Sequence, residues 1–563
     1  MFVGVSIVLA DGMVIKKSNS PIDRGTLYVG GGGSGNYTVI QDAIENASNG
    51  DTVFVYDDSS PYYENIVVDK SIHLIGEDRQ STVIDGGGSG NTIKLTSDNS
   101  VIRDFSITKG SYGIYLDSNC EYNNINNNSI LENSVGIYFF DECKYNTIDS
   151  NIIENNTADG IHLHYGGGSD DNDFNKFLDN SVSNNFGDGI DIGSSCSGNI
   201  LDGNVLNENN AYGLRLFQSD NYIYLSNTVS GEPIYYFYDV HGTPESPVVF
   251  ENNALNVANA INKAKIYVYD STYVTFRNFS LKNGSNMNLC IDNSENIRVD
   301  NCSLENEFYG VVFYSSNYNY FFENDLTGNS VGFYLFDECK NNTFEKNTVE
   351  NNSGDGIHLH YDGGTNREDN DFNNFLENYV SFNTGDGIDI GSSCDNNYLD
   401  GNVLNGNGGF GVRLFQPDNY ITFSNTVFGE PIFYFYDSHG TDSDPIIVED
   451  KVLNVDSSIN KAKVCFYQSS NITVRNFTIE NGNNMNLCID NSENIRVDNC
   501  SLENEFYGVV FYSSVRFMTA PMVSIFSLIV PITFLKTTLY RAIHLRPSIS
   551  NLEMKIMCFQ ITL

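Results

Sequence analysis

The segment NMNLCIDNSENIRVDNCSLENEFYGVVFYSS stands at 286–316 and again, without a single change, at 484–514, inside a duplication offset by 196 to 198 residues. A shorter period runs beneath it. Gly-apolar-x-apolar recurs at Gly113, Gly136, Gly160, Gly189 and Gly213, then at Gly310, Gly332, Gly356, Gly387 and Gly411, spaced 22 to 24 residues apart except where a Gly-rich acidic loop stretches the interval to 29 or 31. A unit that small cannot bury its own apolar face. It must share one continuous core with its neighbours, so the chain is read as a stack of coils rather than as several globular domains.

The runs between these glycines alternate apolar with polar, as in GIYLD, and strong helix formers are scarce, so each coil is expected to consist of short strands joined by Asn/Ser/Gly turns. Equivalent strands of successive coils then pair about 4.8 Å apart. The fold class predicted is an all-β parallel β-helix solenoid with a short N-terminal capping helix. A formal charge of −42, from 30 Lys and Arg against 72 Asp and Glu, excludes nucleic acid, whose phosphates need clustered cations, and disfavours an anionic lipid surface.

Five segments are expected. Residues 1–25 look like the remnant of a secretory signal and a linker. Residues 26–110 hold the N-terminal cap and first coils, 111–316 the first large repeat and 317–514 the second. At 515 the Asn, Gly and Asp that dominate the repeats nearly vanish, and 515–563 is expected to be an out-of-frame tail that folds poorly, because Met522–Thr533 back-translated in another frame permits a sequence close to the coil Gly332–Asn342. No stretch reaches the roughly 20 apolar residues of a transmembrane span. The expected location is secreted or at the cell surface.

The one helix expected lies in YTVIQDAIENASNG (37–50), with Thr38 and Gln41 as a capping box, Ile40, Ala43, Ile44 and Ala47 as the apolar face and Gly50 as the stop. Its role is to plug the exposed end of the first coil. GNYTVIQDAIENASNGDTVFVYDD, then YYENIVVDKSIHLIGEDRQSTVIDGGG, then coils such as NNSILENSVGIYFF, together resemble the right-handed parallel β-helix family that includes NosD-type accessory proteins and archaeal surface proteins. The resemblance covers about residues 26–514 and implies the fold. Function it leaves open, since the scaffold carries binding, structural and carbohydrate-cleaving members. Pectin esterases share the opening pattern and polygalacturonases the fold, but the polygalacturonase set of Asn-Thr-Asp, paired Asp, Gly-His-Gly and Arg-x-Lys is not found.

Stacking turns sequence columns into surfaces. The outward position x reads Tyr115, Tyr138, His162, Asp191, Arg215 in the first repeat and Val312, Tyr334, His358, Asp389, Arg413 in the second. Two residues on, the column reads Phe140, His164, Gly193, Phe217 and Phe336, His360, Gly391, Phe415, a glycine notch between aromatic rings. Asp159 and Asp188, repeated as Asp355 and Asp386, precede the coil glycines. Asp159, Asp188, Asp191, Asp355, Asp386 and Asp389 are therefore candidate catalytic carboxylates, since two acids one strand apart could divide acid and base roles at a spacing like that of a retaining glycosidase. His162, His164, Arg215, Phe140, Phe217, His358, His360, Arg413, Phe336 and Phe415 are candidate ligand contacts, and the His/Asp clusters also suit a divalent metal. The competing reading is an ion-pair ladder that only stabilises the stack.

The inserted loops 165–174 and 361–372 are acidic, and Asp170, Asp171, Asp173, Asp369 and Asp371 are candidate Ca²⁺ ligands, although their spacing matches neither an EF-hand nor the nonapeptide repeat. Asn runs such as Asn126–Asn128 are expected at tight turns, with stacked amides bonding from coil to coil. Cys120, Cys143 and Cys196 each follow a coil glycine by seven residues and are expected to be small turn residues, with Cys120 and Cys143 placed for a bridge. Three functions remain open: an exported, non-catalytic β-helix protein that binds glycan or serves a structural or adhesive role; a polysaccharide hydrolase or lyase; and, from the resemblance alone, a NosD-like copper accessory role, which sparse Met and turn-positioned Cys support poorly. Neither the oligomeric state nor the ligand is legible.

Overall fold

The computed structural model describes residues 25–164, 172–284, 286–360, 370–481, 485–503, 505, 507–512 and 533–534. Apart from one helix, its elements are strands of two to seven residues, and nearly every pairing is parallel to a strand one coil away. Residues from Thr26 to Tyr222–Ile223 build three parallel sheets of nine, seven and six strands; those from Tyr235–Tyr238 to Tyr420–Ile421 build sheets of eight, eight and six; and a third set of five, three and three follows from Phe433–Tyr436. The sets part at two short antiparallel hairpins, Thr228–Val229 with Glu232–Pro233 and Thr426–Val427 with Glu430–Pro431. The chain is a parallel β-solenoid.

Why the coils lie in register follows from three kinds of residue. Inward apolar side chains, such as Ile114, Ile137, Ile161 and Ile190 in one column, are fully buried. The coil glycines are needed because a Cβ on Gly136 would stand 2.5 Å from the Gly160 carbonyl oxygen and 2.6 Å from Ile153 Cγ2. At the corners run buried asparagine ladders. Asn151, for instance, accepts from the Asn128 N–H, donates through Nδ2 to the Ile125 carbonyl and to Asn180 Oδ1, and donates its own N–H to Asn180 Oδ1, all at 2.8–3.0 Å. Each ladder Asn so satisfies backbone groups of the coil before it and is joined to the coil after it through the next Asn side chain.

The run Asn126–Asn128 therefore divides. Only Asn128 is in the ladder; Asn127 sits at φ 51°, the left-handed conformation that Asn tolerates, and Asn126 bonds Asn124 Oδ1. The helix is also shorter than expected, Ile40–Asn46, and Thr38 does not cap it. Val39 is the N-cap, and the carboxylate of Glu64, reaching over from the next coil, accepts the Ile40 and Gln41 N–H groups at 2.9 and 3.0 Å. Lys70 Nζ donates to the Ile44 and Ala47 carbonyls at the other end, so Ala47 rather than Gly50 closes the helix. Ile40, Ala43 and Ile44 are completely buried against the first coils. Cys120 and Cys143 are buried turn residues whose thiols are free and donate to the Leu95 and Asp117 carbonyls, so the bridge for which they are placed is not formed. The signal remnant and linker expected at 1–25 lie outside the described residues except for Gly25, as does the suspected tail except for Thr533–Phe534, which pairs with Val510–Phe511.

Candidate functional site

Strand pairing brings the first column together directly: Tyr138 is the cross-strand partner of His162, His162 of Asp191 and Asp191 of Arg215. The second copy repeats it with Tyr334, His358, Asp389 and Arg413. Flat rings stack along the column, Tyr138 on His162 at 5.2 Å and Tyr334 on His358 at 5.2 Å. Beside it, Phe140 lies parallel to His164 at 5.8 Å, and Phe336 is stacked on His360 at 5.0 Å. Buried Gly193 and Gly391 follow, after which Arg215 covers Phe217 at 4.6 Å and Arg413 covers Phe415 at 4.7 Å.

The aspartates before the coil glycines do two things at once. Asp159 Oδ1 accepts the Asp188 N–H at 2.8 Å, and Asp188 Oδ1 accepts the Tyr212 N–H at 2.8 Å; Asp355 and Asp386 do the same for the Asp386 and Phe410 N–H groups. They form a further ladder, with a carboxylate in place of an amide. Only the second oxygens face the site. Asp159 Oδ2 lies 2.9 Å from His162 Nδ1, and Asp188 Oδ2 lies 3.4 Å from Arg215. The expected acid–base pair of Asp159 and Asp188 is thus half occupied by backbone.

Asp191 completes the cluster. Its Oδ2 is 3.3 Å from His162 Nδ1 and 3.9 Å from Arg215, while its Oδ1 is buried with no hydrogen-bond partner. Asp389 is alike, with Oδ2 3.5 Å from His358 and Oδ1 buried and unpartnered. Burial pushes both carboxyls up to about 6; His162 or His358 and the nearby arginine pull down, and the neighbouring aspartates add to the rise. Burial likewise raises Asp188. For His162, burial opposes protonation, but the Asp159 bond and the surrounding carboxylates outweigh it and raise the imidazole. In the second copy, burial pushes Asp355 up, but its bonds to His358 and to the Asp386 N–H, with the charges of His358 and Arg413, together outweigh it and the carboxyl is lowered. The ligand atoms of Asp159, His162 and Asp191, and of Asp355, His358 and Asp389, lie within 4.8 Å of one another, a donor set that could hold a divalent cation.

Of the expected Ca²⁺ ligands, Asp170, Asp171 and Asp369 lie outside the described residues. Asp173 and Asp371 accept the Ser197 and Asp395 N–H groups at 2.7 Å, so each uses one oxygen to hold the next coil.

The chain matches the model of a right handed beta helix region over residues 264–428 and that of the periplasmic copper-binding protein (NosD) over residues 44–232. No curated protein matches it. Among solved structures it is similar to the A-module of the Azotobacter vinelandii mannuronan C-5 epimerase AlgE4, at 16% identity and a TM-score of 0.30 over 60% of this chain and 89% of that one. It is also similar to pectate lyase Pel9A, at 14% identity and a TM-score of 0.28 over 72% and 80%, and to a GH87 alpha-1,3-glucanase of Streptomyces thermodiastaticus, at 16% and 0.30 over 51% and 56%. At those scores none of the three bears on function. Soft sulfur ligation of copper is not supported in the span matched to the copper-binding model: residues 44–232 contain no methionine, and the thiols of Cys120, Cys143 and Cys196 are buried at coil turns, each donating to a carbonyl.

Proposed function

We propose that this chain, which is a right-handed parallel β-helix repeat protein of the NosD type, is exported and binds glycan at two equivalent sites on the outer face of its solenoid. One observation carries the reading. The loop that follows the site strand differs between the copies, YGGGSDDNDF against YDGGTNREDNDF, yet the Asp, His and Arg groups of the site and Phe217 all recur, with His–Asp distances of 2.9 and 3.3 Å in one copy and 2.9 and 3.5 Å in the other. Phe217 and Phe415, each 49% exposed, offer apolar faces to the C–H side of a sugar ring, while Arg215, Arg413 and the adjacent carboxylates offer donors and acceptors to its hydroxyls. Two such sites on one rigid body multiply affinity for a repeating polymer.

A glycan array followed by affinity electrophoresis tests this. Replacing Phe217 and Phe415 together by Ala is expected to weaken retention at least ~10-fold, as loss of a stacking contact of about 1.5 kcal/mol at each site requires. Retention equal to that of the parent chain would contradict the reading, and release of sugar ends from a bound polymer would replace it with a hydrolase or lyase. The buried, unpartnered Oδ1 of Asp191 and Asp389 favours a second reading, a divalent cation at each Asp-His-Asp cluster. Calorimetric titration with Ca²⁺, Mn²⁺ and Zn²⁺ is then expected to give two equivalents per chain, both lost when Asp191 and Asp389 become Asn; heats unchanged by those substitutions would remove it.

A further inference from the structure

A second repeated constellation stands at a corner of the coils, apart from the Asp-His-Asp clusters. Asp437 and His439 flank Ser438, whose N–H donates into the corner to the buried Ser469 hydroxyl at 3.1 Å. Both flanking side chains stand on the outer surface, about half exposed. His439 is bridged to Ser470 of the next coil, and Ser470 pairs with Glu493 of the coil after that. The imidazole therefore spans two coils, with Nε2 2.8 Å from Asp437 Oδ1 and Nδ1 2.9 Å from Ser470 Oγ. An ionised carboxylate only accepts, so Nε2 carries the proton and Nδ1 presents its lone pair to the Ser470 O–H. Hydroxyl, imidazole and carboxylate stand as a nucleophile, its base and the group that orients the base, with the two ring nitrogens exchanged relative to the serine proteases.

The first copy has the same arrangement around a different hydroxyl. His241 Nε2 lies 2.8 Å from Asp239 Oδ1, and Nδ1 lies 3.1 Å from Thr272 Oγ1. Thr272 and Asp270 stand where the second copy has Ser470 and Gln468, and both changes bear on chemistry at the hydroxyl. Serine lacks the methyl that crowds approach to a threonine oxygen. Asp270 accepts the Asn293 Nδ2–H at 3.3 Å and sets a negative charge beside any oxyanion formed there, whereas Gln468 is neutral and brings amide donors of its own. In the second copy a groove of about 370 Å³ lies at this corner, lined among others by His439, Ser470, Gln468, Asn491 and Glu493.

We infer that Ser470, His439 and Asp437 hydrolyse a neutral, short-chain carboxylic ester, an activity the first copy lacks. The ester is neutral because a chain of net charge −42, with Glu493 on the groove, repels an anionic one. Ser470 Oγ attacks the carbonyl carbon while His439 Nδ1 takes its proton, and the side-chain amides of Gln468 and Asn491 are the donors available to the oxyanion. The bond from that carbon to the alcohol oxygen then breaks, and the leaving oxygen takes the proton from Nδ1. Water attacks the acyl-serine and gives its proton to the same nitrogen; the acid departs and the proton returns to Ser470, with no change of oxidation state. Ser470 and His439 are the catalytic residues, and Asp437 is a positioning residue that fixes the imidazole tautomer.

The experiment uses the full chain with p-nitrophenyl acetate as substrate and, separately, with a fluorophosphonate probe whose adduct is located by peptide mapping. The parent chain is expected to turn the ester over and to carry the phosphonyl group on Ser470 and not on Thr272. Ser470→Ala and His439→Ala are each expected to lower kcat/KM at least ~100-fold. Ser470→Thr, which installs the residue that the first copy folds around, should lose the activity with circular dichroism unchanged. Asp437→Asn should move the pH of half-maximal kcat/KM downward, because the imidazolium loses its carboxylate, a shift that a purely structural contact would not produce. Turnover undiminished in Ser470→Ala, or a parent chain that carries no adduct on Ser470, would overturn the assignment.

Discussion

Asp191 and Asp389 hold the most exposed consequence of the structure at the level of single residues. An acid whose folded pKa, about 6, stands above its unfolded value near 4 keeps its proton more tightly in the folded chain, so folding loses stability as pH rises through that window. The raised imidazole of His162 acts in the same direction, its protonated form favouring the folded state below the unfolded pKa and that benefit fading above the folded one. The lowered Asp355 opposes them, but only below about pH 4. The thermal midpoint is therefore expected to be higher at pH 5 than at pH 8, and replacing Asp191 and Asp389 by Asn should flatten the difference; a steeper dependence in the variant would contradict the assignment. A second residue-scale contrast separates ladder from turn. Asn180→Ala removes two acceptor contacts and two donor contacts in a buried column and should cost on the order of 3 kcal/mol in urea denaturation, whereas Asn127→Ala, an exposed left-handed position, should cost about 1 kcal/mol. Sequence alone could mark Asn127 and Asn128 as turn residues, but which of the two lies inside depends on the backbone bend between them.

At the scale of elements, the coil glycine is what made the site legible. Because its hydrogen faces the next coil's carbonyl, it fixes register, and the position two residues on must fall on the outer face in every coil. Tyr138, His162, Asp191 and Arg215 follow from that alone. Gly136→Ala should accordingly lower the urea midpoint by an amount equal to roughly 1–3 kcal/mol, the usual cost of overpacking. What could not be read were contacts made by side chains that leave their own coil. Glu64 caps a helix that begins 24 residues earlier, and Asp159 uses one oxygen to hold the coil after it, so neither role has a local pattern. Glu64→Ala is expected to speed hydrogen exchange at the Ile40 and Gln41 amides, whose acceptors it removes, while amides in the coils beyond Gly113 keep their protection.

For the whole molecule, the account depends on coils stacked so that residues some 25 positions apart become neighbours, and on that arrangement occurring twice. The register of the site sheet is the point at which this is most open to direct test. Cysteines at His162 and Asp191 would have Cα atoms one strand spacing apart, about 4.8 Å, within the range a disulfide spans, whereas cysteines at His162 and Arg215 would be about twice that distance apart, beyond its reach. The measurement is disulfide formation under mild oxidant, scored by peptide mapping, for these two pairs and for the corresponding pairs at His358 with Asp389 and His358 with Arg413. The account predicts bridging of the adjacent pair in both copies and none in the wider pairs. Bridging of a wide pair, or failure of the adjacent pair in either copy, would contradict it.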